Sequence, residues 1–159
     1  MKTSSVGIAL ICHFEGCKLT AYKCPAGIWT VGYGHTGAGV TSGLTITQDR
    51  AEQLLAADLL NFETGVYGMT GSILQCRFDA LVSFSYNLGL HTLEGSTLLR
   101  KFRLGDIAGA SAEFPRWCHV GGAGVVLEGL VRRRAAERVL FDAGDWMSAV
   151  QPIQPKLAA

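Results

Sequence analysis

The segment from Phe14 to Thr36 constrains the fold of this chain more than any other. It begins where an apolar, helix-like run ends, and Glu15 stands at that end. Lys18 to Lys23 then alternates in polarity as a strand does, and Pro25-Ala26-Gly27 supplies turn-forming residues. Ile28 to Val31 follows with the β-branched and aromatic residues typical of strands. The segment therefore predicts a β-hairpin directly after a helix, with a carboxylic acid at the junction.

The remainder of the chain favours helices. Ser4 or Ser5 can cap the first helix, which we expect to run to about Phe14 and to end at Gly16. Thr47 is a good N-cap for a long helix whose apolar stripe has the period of an amphipathic helix, at Leu55, Leu59, Phe62 and Val66. Glycine-marked turns after Val31 lead to a short third strand, predicted near 44–46. The helical period predicts further helices at about 73–87, 96–104, 106–114 and 125–143. Glycines fall in the breaks between them, including Gly121 and Gly122.

These elements predict an α+β fold with strands confined to the N-terminal third. We expect one domain over residues 1–146. Within it, a β-lobe at about 15–46 is joined by the long helix to a helical lobe at about 47–146, which also takes in the N-terminal helix. Residues 147–159, with Pro152 and Pro155, are expected to form an irregular tail.

Composition fits a compact enzyme. The 159 residues suffice for a single core, and 48% hydrophobic with 17% charged residues excludes a disordered chain. The apolar run from Val6 to Cys12 is too short to cross a bilayer, so we expect no stable membrane insertion. Only Lys2 precedes that run as a charged residue, and Glu15 lies where a cleavage region would have to be, so a signal peptide is not expected.

The net charge of +1 excludes nucleic-acid binding as the main activity, because such binding depends on neutralising many phosphates. The densest basic cluster is Arg132-Arg133-Arg134. Its simplest interpretation is a solvated helix face on which Arg133 pairs with Glu137 one turn later.

Five cysteines are present without any Cys-x-x-Cys pair, so a structural zinc site is not expected. We expect no cofactor. Cys12, Cys76 and Cys118 have apolar or helical surroundings and are predicted to be small core residues. Cys17 and Cys24 allow a further hypothesis: a disulfide formed between them in an oxidising compartment would hold the protein inactive until it is reduced.

Glu15, Cys24 and Thr30 are the candidate catalytic residues. A carboxylic acid facing a polar partner across a cleft is the minimum equipment for cleaving a glycosidic bond. Thr30, on the returning strand, has a hydroxyl that can hold an attacking water. A free thiol has a pKa of about 8.5, so Cys24 needs a lowered pKa to act as base or nucleophile. Whether it attacks carbon, activates water or stabilises positive charge stays open, as does an inert role for Cys24.

The spacing Glu15-x8-Cys24-x5-Thr30, followed by Gly32-Tyr-Gly-His-Thr36, resembles the phage lysozyme (endolysin) family, glycoside hydrolase family twenty-four. Most members have Asp where Cys24 stands, and one branch has Cys. The resemblance runs from about residue 6 to Trp146 and implies a lysozyme-like fold. It also implies muramidase activity, the hydrolysis of the β-1,4 bond between N-acetylmuramic acid and N-acetylglucosamine in peptidoglycan.

The resemblance further implies a biological role and site residues. The role is host cell lysis, and the protein is expected to be a monomer. It is expected to stay in the host cytoplasm until a separate membrane-permeabilising protein, a holin, releases it. It would then act on peptidoglycan in the periplasm. His35 is expected to pair with a carboxylate or to contact substrate, and Tyr86 and Thr97 to contact substrate. An arginine in the segment 129–137 is expected to approach Glu15. We predict Arg134, and a shift of one residue in the alignment would give Arg133.

Two alternatives come from other classes of protein. His13-Phe-Glu15 matches half of the zinc nucleobase deaminase motif, but the Pro-Cys-x-x-Cys half is missing. The replacement of the usual Asp by Cys24 also allows a catalytically inactive lysozyme-like protein that only binds peptidoglycan. Such a protein would bind glycan oligomers without producing new chain ends.

Overall fold

The computed structural model describes residues 1–120 and 124–150. Helix α1 spans Ser5–Glu15, and its first turn is capped by the Ser4 hydroxyl, which accepts a hydrogen bond from the Gly7 N–H at 3.4 Å. Gly16 ends the helix with φ = 66°, a backbone conformation that favours glycine. Glu15 is therefore the last residue of α1, as the sequence predicts.

A three-stranded antiparallel sheet follows in the order β1 (Lys18–Lys23), β2 (Trp29–Gly32) and β3 (His35–Thr36). Tyr22 pairs with Thr30 across β1 and β2. The predicted third strand near 44–46 is wrong, because only an isolated bridge from Thr45 to Thr20 occurs there. β3 has only two residues, too few for a polarity pattern to show in the sequence. A small core beneath the sheet contains Ala21, Val31 and Val40.

Helix α2 (Gln48–Thr70) packs against both β2 and the helical core. The Thr47 hydroxyl accepts a hydrogen bond from the Arg50 N–H at 3.2 Å, which confirms the predicted N-cap. Leu55, Leu59 and Val66 form its buried stripe. The predicted long helix between the sheet and the other helices is thereby confirmed.

Helix α3 (Gln75–Leu88) is the centre of the helical part, and α1, α2, α4 and α7 all pack against it. Every residue from 78 to 85 is buried, as expected for a helix surrounded by others. Shorter elements follow: α4 (Leu90–Glu94), α5 (Thr97–Arg103), α6 (Ile107–Ser111) and the 3-10 helix Phe114–Trp117. The helix predicted at about 106–114 is therefore shorter than expected, and a 3-10 turn that contains Pro115 follows it.

The C-terminal part departs from the prediction in one respect. Strands β4 (His119–Val120) and β5 (Val125–Val126) form a small antiparallel hairpin, so strands are not confined to the N-terminal third. Helix α7 (Glu128–Phe141) consequently begins after the β-branched pair rather than at Val125. The α+β class itself is confirmed.

The predicted irregular tail is wrong at its start, because its first three residues belong to the 3-10 helix Trp146–Ala149. Trp146 itself was assigned to the domain, and it is buried in the core. The predicted break at Gly121 and Gly122 and the tail residues 151–159 lie outside the described residues. Within residues 1–120 and 124–150, none of the helices has the length and apolarity that a membrane span requires.

Candidate active site

The carboxylate of Glu15 opens onto two neighbouring clefts, and its side chain is 22% exposed. The first, called here the sheet-side cleft, has a volume of about 430 Å³. The second, the α7-side cleft, has a volume of about 610 Å³. Besides Glu15, the sheet-side cleft is lined by Gly34, Thr36, Ala57, Asp58, Asn61, Phe62 and Tyr86. The α7-side cleft is lined mainly by His13, Asn87, Glu128, Arg132, Arg133 and the chain around Gly129.

Arg133 is the arginine that reaches Glu15, so the prediction of Arg134 is wrong and the one-residue alternative is right. Nη1 of Arg133 donates to Oε1 of Glu15 at 2.6 Å. Its Nε donates to Oε1 of Glu137 at 3.1 Å, and its Nη2 donates to the Ser83 carbonyl at 3.2 Å. The buried guanidinium is thus held at three nitrogen atoms.

Arg134 points elsewhere because successive helix residues are separated by about 100° around the axis. Its Nη2 donates to Oδ1 of Asn87 at 2.8 Å, and its guanidinium lies 5.2 Å from the centre of the Phe84 ring. Burial lowers the pKa of Arg134, and the negative charge of Glu137 opposes that shift. Arg134 therefore acts on the interior of the helical part and makes no hydrogen bond to Glu15 among the described residues.

The interpretation of this segment as a solvated helix face is also wrong for Arg133, Arg134 and Glu137. Arg133 does pair with Glu137, but all three side chains are buried. The Ser83 hydroxyl of α3 donates to Oε1 of Glu137 at 2.8 Å. A carboxylate fully removed from water requires such partners, and here two guanidiniums and a hydroxyl supply them.

The turn between β2 and β3 approaches the other oxygen of Glu15. Gly34 in this turn has φ = 95°, and a Cβ atom there would lie 3.8 Å from Oε2 of Glu15. The Tyr86 hydroxyl donates to the Tyr33 carbonyl at 2.9 Å, so α3 holds the same turn. Burial raises the pKa of Tyr86, which keeps this phenol a donor. Tyr86 lines the sheet-side cleft, where a substrate contact is predicted.

His35 pairs with a carboxylate. Its Nδ1 lies 2.9 Å from Oδ2 of Asp58, which joins β3 to α2 beside the sheet-side cleft. Thr97, in contrast, begins α5 and is not among the described residues that line either cleft. The structure therefore does not bring Thr97 to the site.

Cys24 and Thr30 lie together at the end of the β1–β2 hairpin. The Cys24 N–H donates to the Ile28 carbonyl at 2.9 Å, and the Thr30 hydroxyl donates to the same carbonyl at 3.1 Å. Hydrogen bonding from the Ile28 backbone lowers the pKa of the Cys24 thiol, with smaller contributions from the Ala26 backbone and the Thr30 hydroxyl. The hairpin thus favours the thiolate. In the part of the chain that the structure describes, neither side chain lines either cleft or is hydrogen-bonded to Glu15.

All five cysteines are free thiols, so the disulfide hypothesised between Cys17 and Cys24 is not formed in this structure. The Cys17 thiol instead donates to Oε1 of Gln48 at 3.5 Å. Over residues 1–120 and 124–150, no three His, Cys, Asp or Glu side chains are arranged to bind a metal ion.

Sequence reasoning did not single out Asp58, Asn61 or Asn87, and it assigned Glu137 only to a surface pair. A signal for Asp58 was available, because it lies three residues after Leu55 at the edge of the buried stripe of α2. The burial of Glu137 had no comparable signal. It results from the packing of α7 against α3, where the Ser83 hydroxyl donates to Glu137 from a position far away in sequence.

The sequence is similar to known phage lysozymes and endolysins. The family model named Phage lysozyme matches residues 12–137. The endolysin of Bacillus phage PZA is 46% identical over 147 residues, which cover 91% of this chain and 56% of the relative. The endolysin of Acyrthosiphon pisum secondary endosymbiont phage 1 is 42% identical over 151 residues, covering 90% of this chain and 99% of the relative. The chain thus spans about half the length of the first relative and nearly all of the second.

Solved structures show the same fold. The muramidase domain of SpmX from Asticaccaulis excentricus superposes with a TM-score of 0.83 at 38% identity, covering 88% of this chain and 97% of that one. A mutant of P22 lysozyme superposes with a TM-score of 0.79 at 36% identity, covering 89% and 98%.

The fold and the site together define a lysozyme-like protein, and the predicted lysozyme-like α+β fold is confirmed. The chain belongs to the phage lysozyme family, and its relatives are endolysins. Its enzyme class is accordingly that of the lysozymes, which are glycoside hydrolases.

Proposed function

We propose that this chain is a muramidase endolysin that hydrolyses the β-1,4 bond between N-acetylmuramic acid and N-acetylglucosamine in peptidoglycan, with Glu15 as the general acid. One observation carries the proposal. Arg133 holds Oε1 of Glu15 at 2.6 Å, whereas Oε2 faces the turn at Gly34 and the sheet-side cleft. Since a cation occupies Oε1, the proton for the leaving group is carried on Oε2.

In this mechanism Oε2 of Glu15 donates its proton to the glycosidic oxygen as the bond from that oxygen to the anomeric carbon breaks. A water molecule forms the new bond to the anomeric carbon and loses its proton to the Cys24 thiolate. Proton exchange with solvent then restores both groups. The lowered pKa of Cys24 supports this role, because a larger fraction of the thiol is ionised at neutral pH. The Thr30 hydroxyl would orient the water, and the sugar configuration would invert.

The partners and location belong to the same proposal. Peptidoglycan glycan strands would lie in the clefts beside Glu15, and Tyr86 would contact them from α3. We propose that the protein acts as a monomer, waits in the host cytoplasm and reaches the periplasm when a holin opens the membrane. The endolysin names of its relatives support this role.

The identity of the new chain ends tests the proposed bond. Purified peptidoglycan is digested, the products are reduced with borohydride, and the reduced sugar is identified by mass spectrometry. Reduced N-acetylmuramic acid is expected, and reduced N-acetylglucosamine would assign a different bond. Binding without any new ends would instead support the peptidoglycan-binding alternative.

The role of Cys24 is tested by Cys24→Asp, Cys24→Ser and Cys24→Ala in the same assay. Asp supplies a base and is expected to retain activity, whereas Ser and Ala do not and are expected to reduce the rate by about 100-fold or more. Equal activity in all three variants would exclude Cys24 as the base. The configuration of the first product, measured by NMR, would distinguish inversion from retention.

A further inference from the structure

We propose that Glu137 is a positioning residue for Glu15, acting through Arg133. The inference rests on the proposed function, because it assumes that Glu15 is the acid. Glu137 is fully buried on α7 and does not line either cleft among the described residues. Its influence on the reaction would therefore pass through the side chains that it holds.

The first part of the argument is orientation. Oε1 of Glu137 accepts from Nε of Arg133 at 3.1 Å, and the Ser83 carbonyl accepts from Nη2 of Arg133 at 3.2 Å. Because a guanidinium is planar, two anchors fix the direction of the third nitrogen. Only Nη1 then remains free to point at Glu15, and it does so at 2.6 Å.

The second part is charge. Arg133 and Arg134 bring two buried positive charges to one carboxylate, since Nε of Arg134 lies 3.0 Å from Oε2 of Glu137. Without the negative charge of Glu137, these guanidiniums would act on Glu15 with no buried counter-charge. That would favour the ionised form of Glu15, whereas a general acid must be protonated. Glu137 thus places a buried counter-charge beside the two guanidiniums, one of which orients the acid.

Other charged or titratable groups line the clefts onto which Glu15 opens, and they would remain in a Glu137 variant. They are Arg132 and Glu128 of α7, His13 of α1, Tyr86 of α3 and Asp58 of α2. A change in pH dependence on substitution of Glu137 alone can therefore be assigned to its own charge.

The experiment compares Glu137→Gln with Glu113→Gln. Glu113 is a second buried carboxylate, held by Lys101 at 2.6 Å and outside both clefts among the described residues. Both variants are expected to lose thermal stability. Only Glu137→Gln is expected to lower kcat, by about tenfold or more, with KM little changed. The pH at which the Glu15 carboxyl ionises, followed by NMR of its carboxyl carbon, is expected to fall by about one pH unit or more in Glu137→Gln and to stay in place in Glu113→Gln.

Glu137→Asp separates the two parts of the argument. It keeps the charge but shortens the side chain, so kcat is expected to fall while the pH at which Glu15 ionises stays in place. This variant also serves if Glu137→Gln does not fold. Activity equal to that of Glu113→Gln in whichever Glu137 variant folds would overturn the inference.

Glu15→Gln in the same series separates failure of the inference from failure of the proposed function. If Glu15→Gln remained active, or if the unaltered protein released no new ends, the proposed function itself would fail. If Glu15→Gln were inactive and Glu137→Gln behaved like Glu113→Gln, only the inference would fail.

Discussion

Nη1 of Arg133 lies 2.6 Å from Oε1 of Glu15. This contact joins the last residue of α1 to the second turn of α7, two residues that are 118 positions apart in the chain. Glu15 lies at a helix end followed by glycine, where its side chain would otherwise be free to rotate. The contact with a buried guanidinium gives it a fixed orientation at the junction of two clefts.

Arg133→Lys is expected to lower kcat by about 10- to 100-fold, because an ammonium cannot hold Glu15, Glu137 and Ser83 in one plane. Arg134→Lys removes an equally buried guanidinium that makes no hydrogen bond to Glu15 in the described part of the chain. It should reduce thermal stability with a smaller loss of kcat. Steady-state kinetics and thermal unfolding of the two variants check this, and a larger kcat loss in Arg134→Lys would contradict it.

Gly34→Ala is expected to reduce both stability and activity. Its φ of 95° is unfavourable for alanine by about 1–2 kcal/mol, and the new methyl group would contact Oε2 of Glu15. Gly105→Ala is the matched control, because Gly105 has φ = 79° with no atom within 4 Å of the added Cβ. Both variants should lower Tm by about 2–8 °C, measured by calorimetry.

Only Gly34→Ala should also lower the rate of peptidoglycan hydrolysis once activity is measured well below the Tm of both variants. Equal rates in the two alanine variants would show that Oε2 of Glu15 does not face the reacting bond.

The pKa of the Cys24 thiol is expected to lie below that of a free cysteine, and the pKa of the Cys12 thiol above it. Hydrogen bonding from the Ile28 backbone lowers the pKa of Cys24, whereas burial raises that of Cys12. Because the thiolate is the reactive form, alkylation of Cys24 should reach half its maximal rate below about pH 8.5, and that of Cys12 above it. Iodoacetamide labelling at a series of pH values, followed by peptide mass spectrometry, measures both thiols in one sample. The reverse order would refute the proposed polarisation of Cys24.

Much of the scaffold could be predicted because its signals are local. The Thr47 cap, the glycine after Glu15 and the alternation of Lys18–Lys23 each depend on neighbouring residues, and each element occurs where it was predicted. The two-residue strands β3, β4 and β5 could not be predicted, because so short a segment has no measurable period. Their formation depends on pairing with other strands.

The buried ion pairs were beyond local reasoning for a related reason. Arg133 and Arg134 are adjacent and chemically identical, and only the packing of α7 against α1 and α3 decides which one faces Glu15. Glu137 resembles a surface residue in the sequence, and it is buried because α7 packs against α3, where Ser83 donates to it. The candidate acid could be predicted from its motif, whereas the residues that hold it could not.

The most direct test of the central claim is the release of reducing ends from purified peptidoglycan by the unaltered protein, by Glu15→Gln and by the buried-carboxylate control Glu113→Gln. A glutamine cannot donate the proton, so Glu15→Gln is expected to lose about 100- to 10,000-fold in rate while remaining folded. Glu113→Gln is expected to retain activity at a temperature well below its Tm. Comparable rates for Glu15→Gln and the unaltered protein would contradict the assignment of Glu15 as the general acid.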